Sequence, residues 1–289
     1  MGIGSAAHKR SGDDSHKHGG INGGGWVPAP PTAMRIVSWN ARGMGNDRAF
    51  REAQKILQLH RPQIMFLCET KLLSGQMQDK GKALKFENCL AVSRNGLSGG
   101  LALLWNSEVV VDIKSYSRHY IDAVVHVDNG SYWRCTGIYG HPESDQKQHT
   151  WELMKRLAGL SSLPWLCFGD FNEILHPEEK TGKHERSVLA VNEFRETVKF
   201  CGLMDLGCKG RPFTWSNRRF GTHLVEERLD RFFCCKSWGS IFQEPTAETL
   251  ETWTSDHNPI LFSVEEKGKN TKLSKRVFSR THYEDMWSP

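Results

Sequence analysis

Trp165-Leu166-Cys167-Phe168-Gly169-Asp170-Phe171-Asn172 is the stretch on which the reading of this chain turns. Its first four residues form an apolar run suited to a buried strand, and the run breaks at Gly169. Asp170 and Asn172 follow two residues apart, so a carboxylate and an amide project the same way from the strand end. Strand interiors accommodate Asp and Asn poorly, and each would need a partner if buried. Two readings are open here: an ordinary Asp-x-Asn turn, or a polar site at the end of a strand.

Working outward, helical patterns flank this strand, about Gln146–Leu160 before it and Val188–Cys201 after it. Further upstream, Gly100–Trp105, Val109–Tyr116, Ile121–Val127 and Tyr132–Tyr139 read as strands, separated by short polar or glycine turns such as Asp128-Asn129-Gly130. Near the N-terminus, strand-like Arg35–Asn40 turns through Gly43-Met44-Gly45 into an amphipathic helix over Asp47–His60, with Asp47 as its N-cap, and Ile64–Cys68 is a second strand. Strand, helix, strand with short links is a βαβ unit. Beta-rich blocks interleaved with helices point to two packed sheets with helices outside, not to one continuous parallel sheet.

Composition sets limits. The 289 residues suffice for one large domain or two small ones, and 38% hydrophobic with 25% charged residues is ordinary for a globular chain. The net charge of +5 sits mostly in the tails: residues 267–289 hold six basic and two acidic side chains, residues 1–33 three and two, and the body between them is neutral. Overall charge therefore says little about nucleic acid, and only local clusters can speak. Eight cysteines contain no CxxC pair, and Cys68, Cys135 and Cys167 lie inside apolar runs. With no apolar run resembling a signal peptide or a membrane span, the reading is a reduced, intracellular protein, the nucleus included. Residues 1–33, rich in Gly, Ser and His and closing on Pro28-Ala29-Pro30-Pro31, read as a disordered leader in which His8, His16 and His18 are incidental. Residues 34–266 read as the folded domain and residues 267–289 as a basic, linker-like tail.

One local cluster stands out. Across residues 209–231, Lys209, Arg211, Arg218, Arg219, Arg228 and Arg231 outnumber Glu226, Glu227 and Asp230, with Phe213, Trp215 and Phe220 interleaved. Such a hairpin could lie on a phosphate backbone with an aromatic near the bases, or be a solvated hairpin whose aromatics face the core. Elsewhere Glu69, Asp170, Asp256, Asn40, Asn172 and His257 all fall at the ends of apolar strands, where sheet proteins gather their sites. Hard oxygen donors of this kind suit magnesium or manganese, not zinc. Each residue keeps a structural alternative: Glu69 as a turn cap, Asn40 as an Asx turn, His257 as a structural histidine.

Taken in order, Ser38-Trp39-Asn40, Leu67-Cys68-Glu69-Thr70-Lys71, Gly137-Ile138-Tyr139-Gly140, Gly169-Asp170-Phe171-Asn172, Phe213-Thr214-Trp215-Ser216-Asn217, Glu227-Arg228-Leu229-Asp230-Arg231 and Ser255-Asp256-His257 resemble the endonuclease/exonuclease/phosphatase superfamily. Within it they resemble the apurinic/apyrimidinic-endonuclease-like domain of LINE-type retrotransposons, especially plant ones. The resemblance implies an α/β, four-layer α/β/β/α sandwich of two mixed sheets face to face. It further implies metal-dependent phosphodiester hydrolysis by a monomer acting on double-stranded DNA, with no membrane partner, using Mg2+ with Mn2+ as a substitute. Glu69 would hold the ion with Asn40 and Asp256 close by. Asp170 would orient or deprotonate the attacking water and Asn172 would position it. Tyr139 and His257 would donate to the scissile phosphate, and Asp230 would keep the imidazole cationic. Arg211, Thr214, Trp215, Asn217, Arg218 and Arg219 would face the nucleic acid.

The chain departs from repair-type members at Arg42, where they carry an acidic residue, which moves it toward the retrotransposon branch. Retrotransposon relatives continue into a reverse transcriptase, and the segment toward Pro289 resembles the connector. An active nicking enzyme leaving a 3′-hydroxyl is the first expectation. The alternatives are an idle fragment that only binds nucleic acid, and a phosphatase or RNA deadenylase of the same superfamily.

Overall fold

Runs that are apolar at every position need cover on both faces, and β2 (Ile64–Cys68) and the Trp165–Asp170 strand are buried along their whole length. The computed structural model, which describes residues 33–126 and 131–266, supplies that cover. The first half of the chain runs β1 (Ala33–Asn40), α1 (Asp47–His60), β2, α2 (Ser74–Ala83), β3 (Asn88–Val92), β4 (Leu101–Trp105), β5 (Val111–Tyr116), β6 (Tyr120–His126) and β7 (Tyr132–Tyr139). Then come α3 (Lys147–Ala158), β8 (Trp165–Asp170), β9 (Lys180–Thr181), α4 (Val188–Phe200), β10 (Leu203–Asp205), β11 (Lys209–Gly210) and β12 (Trp215–Ser216). The last strands are β13 (Glu226–Glu227), β14 (Asp230–Cys235), β15 (Phe242–Thr249) and β16 (Ile260–Glu266).

A seven-stranded sheet has the order β11-β15-β16-β1-β2-β4-β3, a six-stranded sheet the order β10-β14-β8-β7-β6-β5, and β12-β13-β9 form a small third sheet. Both large sheets are mixed. The pairs β1–β2 and β7–β8 are parallel, each closed by a helical crossover, and most other neighbours are antiparallel. The period-two alternation of side chains sorts the core into three layers. Ile36, Phe66, Phe168 and Phe232 point between the sheets. Val37 and Leu67 pack outward with Ala49, Ala53 and Ile56 of α1, while Cys167 and Phe233 pack outward with Trp151 of α3 and Phe194 of α4. The result is the α/β/β/α sandwich of two mixed sheets.

Two glycines set how closely the strands approach. Gly137 of β7 faces Phe66 of the opposite sheet, where a Cβ would stand 2.4 Å from the ring, so the missing side chain seats the aromatic between the sheets. Gly169 sits at φ +134°, and a Cβ there would lie 1.9 Å from the Ile138 carbonyl oxygen on the paired strand. Both the backbone conformation and the space demand glycine immediately before Asp170. Gly169→Ala is expected to destabilise the protein by roughly 3 kcal/mol or more, read from urea unfolding midpoints. A loss below ~1 kcal/mol would show that β7 yields.

Some expectations need correction. The N-cap of α1 is Asn46, whose side chain accepts from Arg48 N at 2.9 Å, and Asp47 is the first helical residue. Residues 209–231 are not one hairpin: β11 joins the large sheet, β12 and β13 pair with each other, and Asp230 begins β14. The turn at residues 128–130 and nearly all of the two expected tails lie outside the described residues. Among the described residues no helix is long and apolar enough to cross a membrane.

Candidate functional site

Parallel and antiparallel strands bring their polar ends to one rim. β1 delivers Asn40, the end of β2 delivers Glu69, β7 delivers Tyr139, β8 delivers Asp170, and the start of β14 delivers Asp230 directly opposite Asp170. The loop before β16 adds Asp256 and His257. That loop is bound to β1 by Trp39 Nε1 donating to the His257 carbonyl (3.1 Å) and by Ser255 Oγ donating to the Asn40 carbonyl (2.8 Å).

Asp230, His257, Asp170 and Asn40 form a buried chain. Asp230 Oδ2 lies 2.9 Å from His257 Nδ1, His257 Nε2 lies 3.7 Å from Asp170 Oδ2, and that oxygen accepts from Asn40 Nδ2 at 2.9 Å. Asp170 Oδ1 accepts from Asn172 N (2.9 Å), and Asn172 Nδ2 donates to the Gly140 carbonyl (2.9 Å). Burial and then the neighbouring Asp230 raise the Asp170 carboxyl to about 6, although His257 pulls the other way. Burial alone would lower the His257 imidazolium, but Asp230 and Asp170 outweigh it and raise it to about 9. The alternative role for Asp230, a surface partner of Arg228 or Arg231, is therefore not the one observed.

Asp170, Asp230 and His257 also lie close enough together to resemble a metal cage. Asp230 and Asp170 raise the imidazole to about 9, which favours a proton donor over a ligand at that ring. The hard oxygen donors meet elsewhere, around Arg42. Its Nε donates to Asp256 Oδ1 (2.9 Å), its Nη1 to both Glu69 oxygens (3.1 and 3.2 Å), and its backbone N to Asn40 Oδ1 (3.2 Å). Two carboxylates converging on one guanidinium, with the Asn40 oxygen beside them on the backbone N of the same residue, are a donor set that fits a hard divalent ion, with the guanidinium as a stand-in cation. Tyr139 OH donates to Glu69 Oε1, which commits its only proton to that carboxylate, and Lys71 Nζ lies 3.6 Å from Glu69 Oε2.

The expected nucleic-acid face is divided. Arg211 pairs with Glu251 (2.9 Å), and Arg218 donates to the carbonyls of Trp253 (2.7 Å) and Ser255, tying two surface loops together. Arg219 and Phe220 are exposed beside them. Asn217 spends its side chain inside its own loop, accepting from Arg219 N and Val225 N. Thr214 is fully buried, and its Oγ1 accepts from Leu229 N and Asp230 N, so it positions Asp230 rather than facing solvent. Trp215 is half-buried and donates from Nε1 to Asp256 Oδ2 at 3.0 Å. Arg228 and Arg231, counted above as part of a basic surface, are consumed by Glu179 and Asp205 beneath it.

Sequence reasoning missed several supports. Buried Lys147 donates to Glu173 and to the Asn172 carbonyl (2.8 Å), bracing the turn after Asp170. Arg186 and Lys180 hold Glu227 from a segment with no pattern to announce it. His119 and His141 stack at 3.9 Å beside Tyr139. A cavity of about 780 Å3 lined by Arg35, Gln63 and Asn106 lies at the opposite strand ends and has no part in this constellation.

Comparison with known proteins agrees with this geometry. The family model described as "Endonuclease/Exonuclease/phosphatase family" matches residues 37–257. Among solved structures, the endonuclease domain of TRAS1, a telomere-specific non-LTR retrotransposon, superposes with a TM-score of 0.62 at 14% identity, covering 81% of this chain and 100% of that one. The AP endonuclease LMAP from Leishmania major gives the same score and identity over 81% and 88%. The 3′-5′ exonuclease NExo from Neisseria meningitidis gives 0.58 at 18% identity over 80% and 100%. These likenesses establish the shared fold. No curated protein matches the sequence.

Proposed function

This chain belongs to the endonuclease/exonuclease/phosphatase family, and from that membership we propose that it is a divalent-metal-dependent phosphodiesterase that nicks double-stranded DNA, of the LINE retrotransposon type. One observation carries the proposal: a buried carboxylate raised to about 6 faces an imidazolium held at about 9 across a 3.7 Å gap, at the joint ends of two sheets. Near neutral pH this arrangement offers a proton acceptor and a proton donor side by side.

Asp170 takes a proton from a water as the water attacks phosphorus. The side-chain oxygen of Asn172 orients that water, because its Nδ2 is fixed on Gly140. His257 Nε2 donates to a phosphoryl oxygen as negative charge accumulates there. The bond from phosphorus to the 3′-oxygen breaks, the oxygen leaves with the electron pair, and it takes a proton from solvent water to become the 3′-hydroxyl. Glu69 and Asp256, with Asn40 beside them, would hold a magnesium or manganese ion, which would supply Lewis-acid stabilisation of the same charge. Arg211, Arg218, Arg219 and the exposed Phe220 supply a surface for a phosphate backbone, with Arg218 reaching the Ser255 carbonyl next to Asp256. Residues 34–266 of a single chain furnish every group named, which supports a monomer as the active unit.

The retrotransposon-type reading is supported by the ordered motifs and by Arg42 at the position where repair enzymes carry an acid. The idle-fragment reading has one observation in its favour, the guanidinium lying among the expected metal ligands. Nicking of supercoiled plasmid by the full chain with magnesium or manganese separates them. The expected product is an open circle whose ends a polymerase extends. Release of phosphate from a 3′-phosphorylated oligonucleotide without nicking would favour a phosphatase, and binding without either reaction would favour the idle fragment.

A further inference from the structure

Resting on that reading of the metal seat, we propose that Arg42 is the resident cation of the Glu69–Asp256 pair and that a divalent ion enters by displacing its guanidinium. Glu69 and Asp256, the two carboxylates expected to ligate the ion, accept from the Arg42 guanidinium through contacts of 2.9 to 3.2 Å, while Asn40 Oδ1 accepts from the Arg42 backbone N at 3.2 Å. Oxygens already accepting from the guanidinium cannot turn the same lone pairs to a metal, and two positive groups crowded into one seat repel each other. Metal binding is therefore an exchange and not a simple addition.

The local structure permits the exchange. The Arg42 side chain is 40% exposed, so it can leave without opening the core, whereas Glu69 is only 8% exposed and stays in place. Glu69 also retains Tyr139 and Lys71 when Arg42 departs. Arg42 itself occupies the left-handed backbone region at φ 51° and is followed by Gly43 at φ 124°, a turn that aims the guanidinium back over the rim. Once displaced, the guanidinium is left at the mouth of the site, where a phosphate is the natural replacement for the carboxylates it has lost.

The test is Mn2+ binding by the full chain, read from the electron paramagnetic resonance of free Mn2+, so that no turnover is needed. Arg42→Gly removes the guanidinium and suits the left-handed backbone, and Arg42→Ala separates loss of the side chain from backbone relief. Both are expected to bind one Mn2+ with a Kd roughly tenfold or more below that of the unmodified protein, and Glu69→Gln should abolish the site. Circular dichroism melts establish that each variant is folded. If the unmodified protein binds an ion that Glu69→Gln removes, yet neither Arg42 variant binds it more tightly, the exchange is overturned and the metal reading stands. Tightening in the glycine variant alone would also overturn it, since the backbone would then be the cause. If no folded form binds an ion that depends on Glu69, the metal reading itself fails and takes the exchange with it.

Discussion

Asp170→Asn is expected to lower the rate of the proposed plasmid nicking by about 10³-fold or more, while DNA binding changes little. The substitution keeps the shape of the side chain, and its single oxygen can accept from either Asn40 Nδ2 or Asn172 N but not from both, so one hydrogen bond is lost and circular dichroism checks that the fold survives. What disappears is the ability to accept a proton from water. Asp170 is fully buried, and among the described residues its carboxylate accepts two hydrogen bonds, from Asn40 and from the Asn172 backbone, while burial raises it to about 6. Single-turnover nicking with saturating enzyme measures the chemical step directly. A rate within tenfold of the unmodified protein would remove Asp170 from the role of proton acceptor.

The second large effect concerns His257 and its pH signature. With Asp170 acting as the carboxylate, as proposed, activity is expected to rise as pH climbs through about 6, and with His257 acting as the imidazolium it is expected to fall as pH climbs through about 9. A bell with its plateau between those limbs is the expected profile. His257→Ala should cost ~10²-fold or more and erase the alkaline limb. Asp230→Asn should keep the donor but shift the alkaline limb to lower pH, because the carboxylate 2.9 Å from Nδ1 is the leading group that holds the proton there. An alkaline limb that does not move in Asp230→Asn would mean the limb belongs to another group.

Much of this architecture was legible one strand at a time. The unbroken apolar runs of β2 and β8 implied cover on both faces, and the polar residues at their ends implied a site, because both inferences depend only on neighbours along the chain. The same local logic overlooked α2, whose sequence Ser-Gly-Gln-Met-Gln-Asp-Lys-Gly-Lys-Ala carries two glycines and a single large apolar residue. It also miscounted the basic cluster. Arg228 and Arg231 look like surface charge until Glu179 and Asp205, roughly 25 to 50 residues earlier, are seen to bury them. Thr214 sits in a polar stretch and gives no sign that its hydroxyl receives two backbone N–H groups of the Asp230 segment. Arg42 was noticed as a departure from repair enzymes, but its grip on Glu69 and Asp256 spans 27 and 214 positions and is visible only in three dimensions.

The bond from Trp39 to the His257 carbonyl joins residues 218 positions apart, and β1 lies between β2 and β16, so the first strand of the fold gains its second neighbour from the last. This arrangement bears on protein synthesis. A ribosome that has completed the Asp170 strand still has to polymerise the residues that bring the imidazolium, a delay of several seconds at about 5–20 residues per second. Throughout that interval the emerging polypeptide holds a proton acceptor with no donor opposite it. Prematurely terminated translation products share the same incompleteness. If the proposed DNA nicking holds, the chain's own topology acts as a safeguard: cutting power arrives only with the last strand among the described residues.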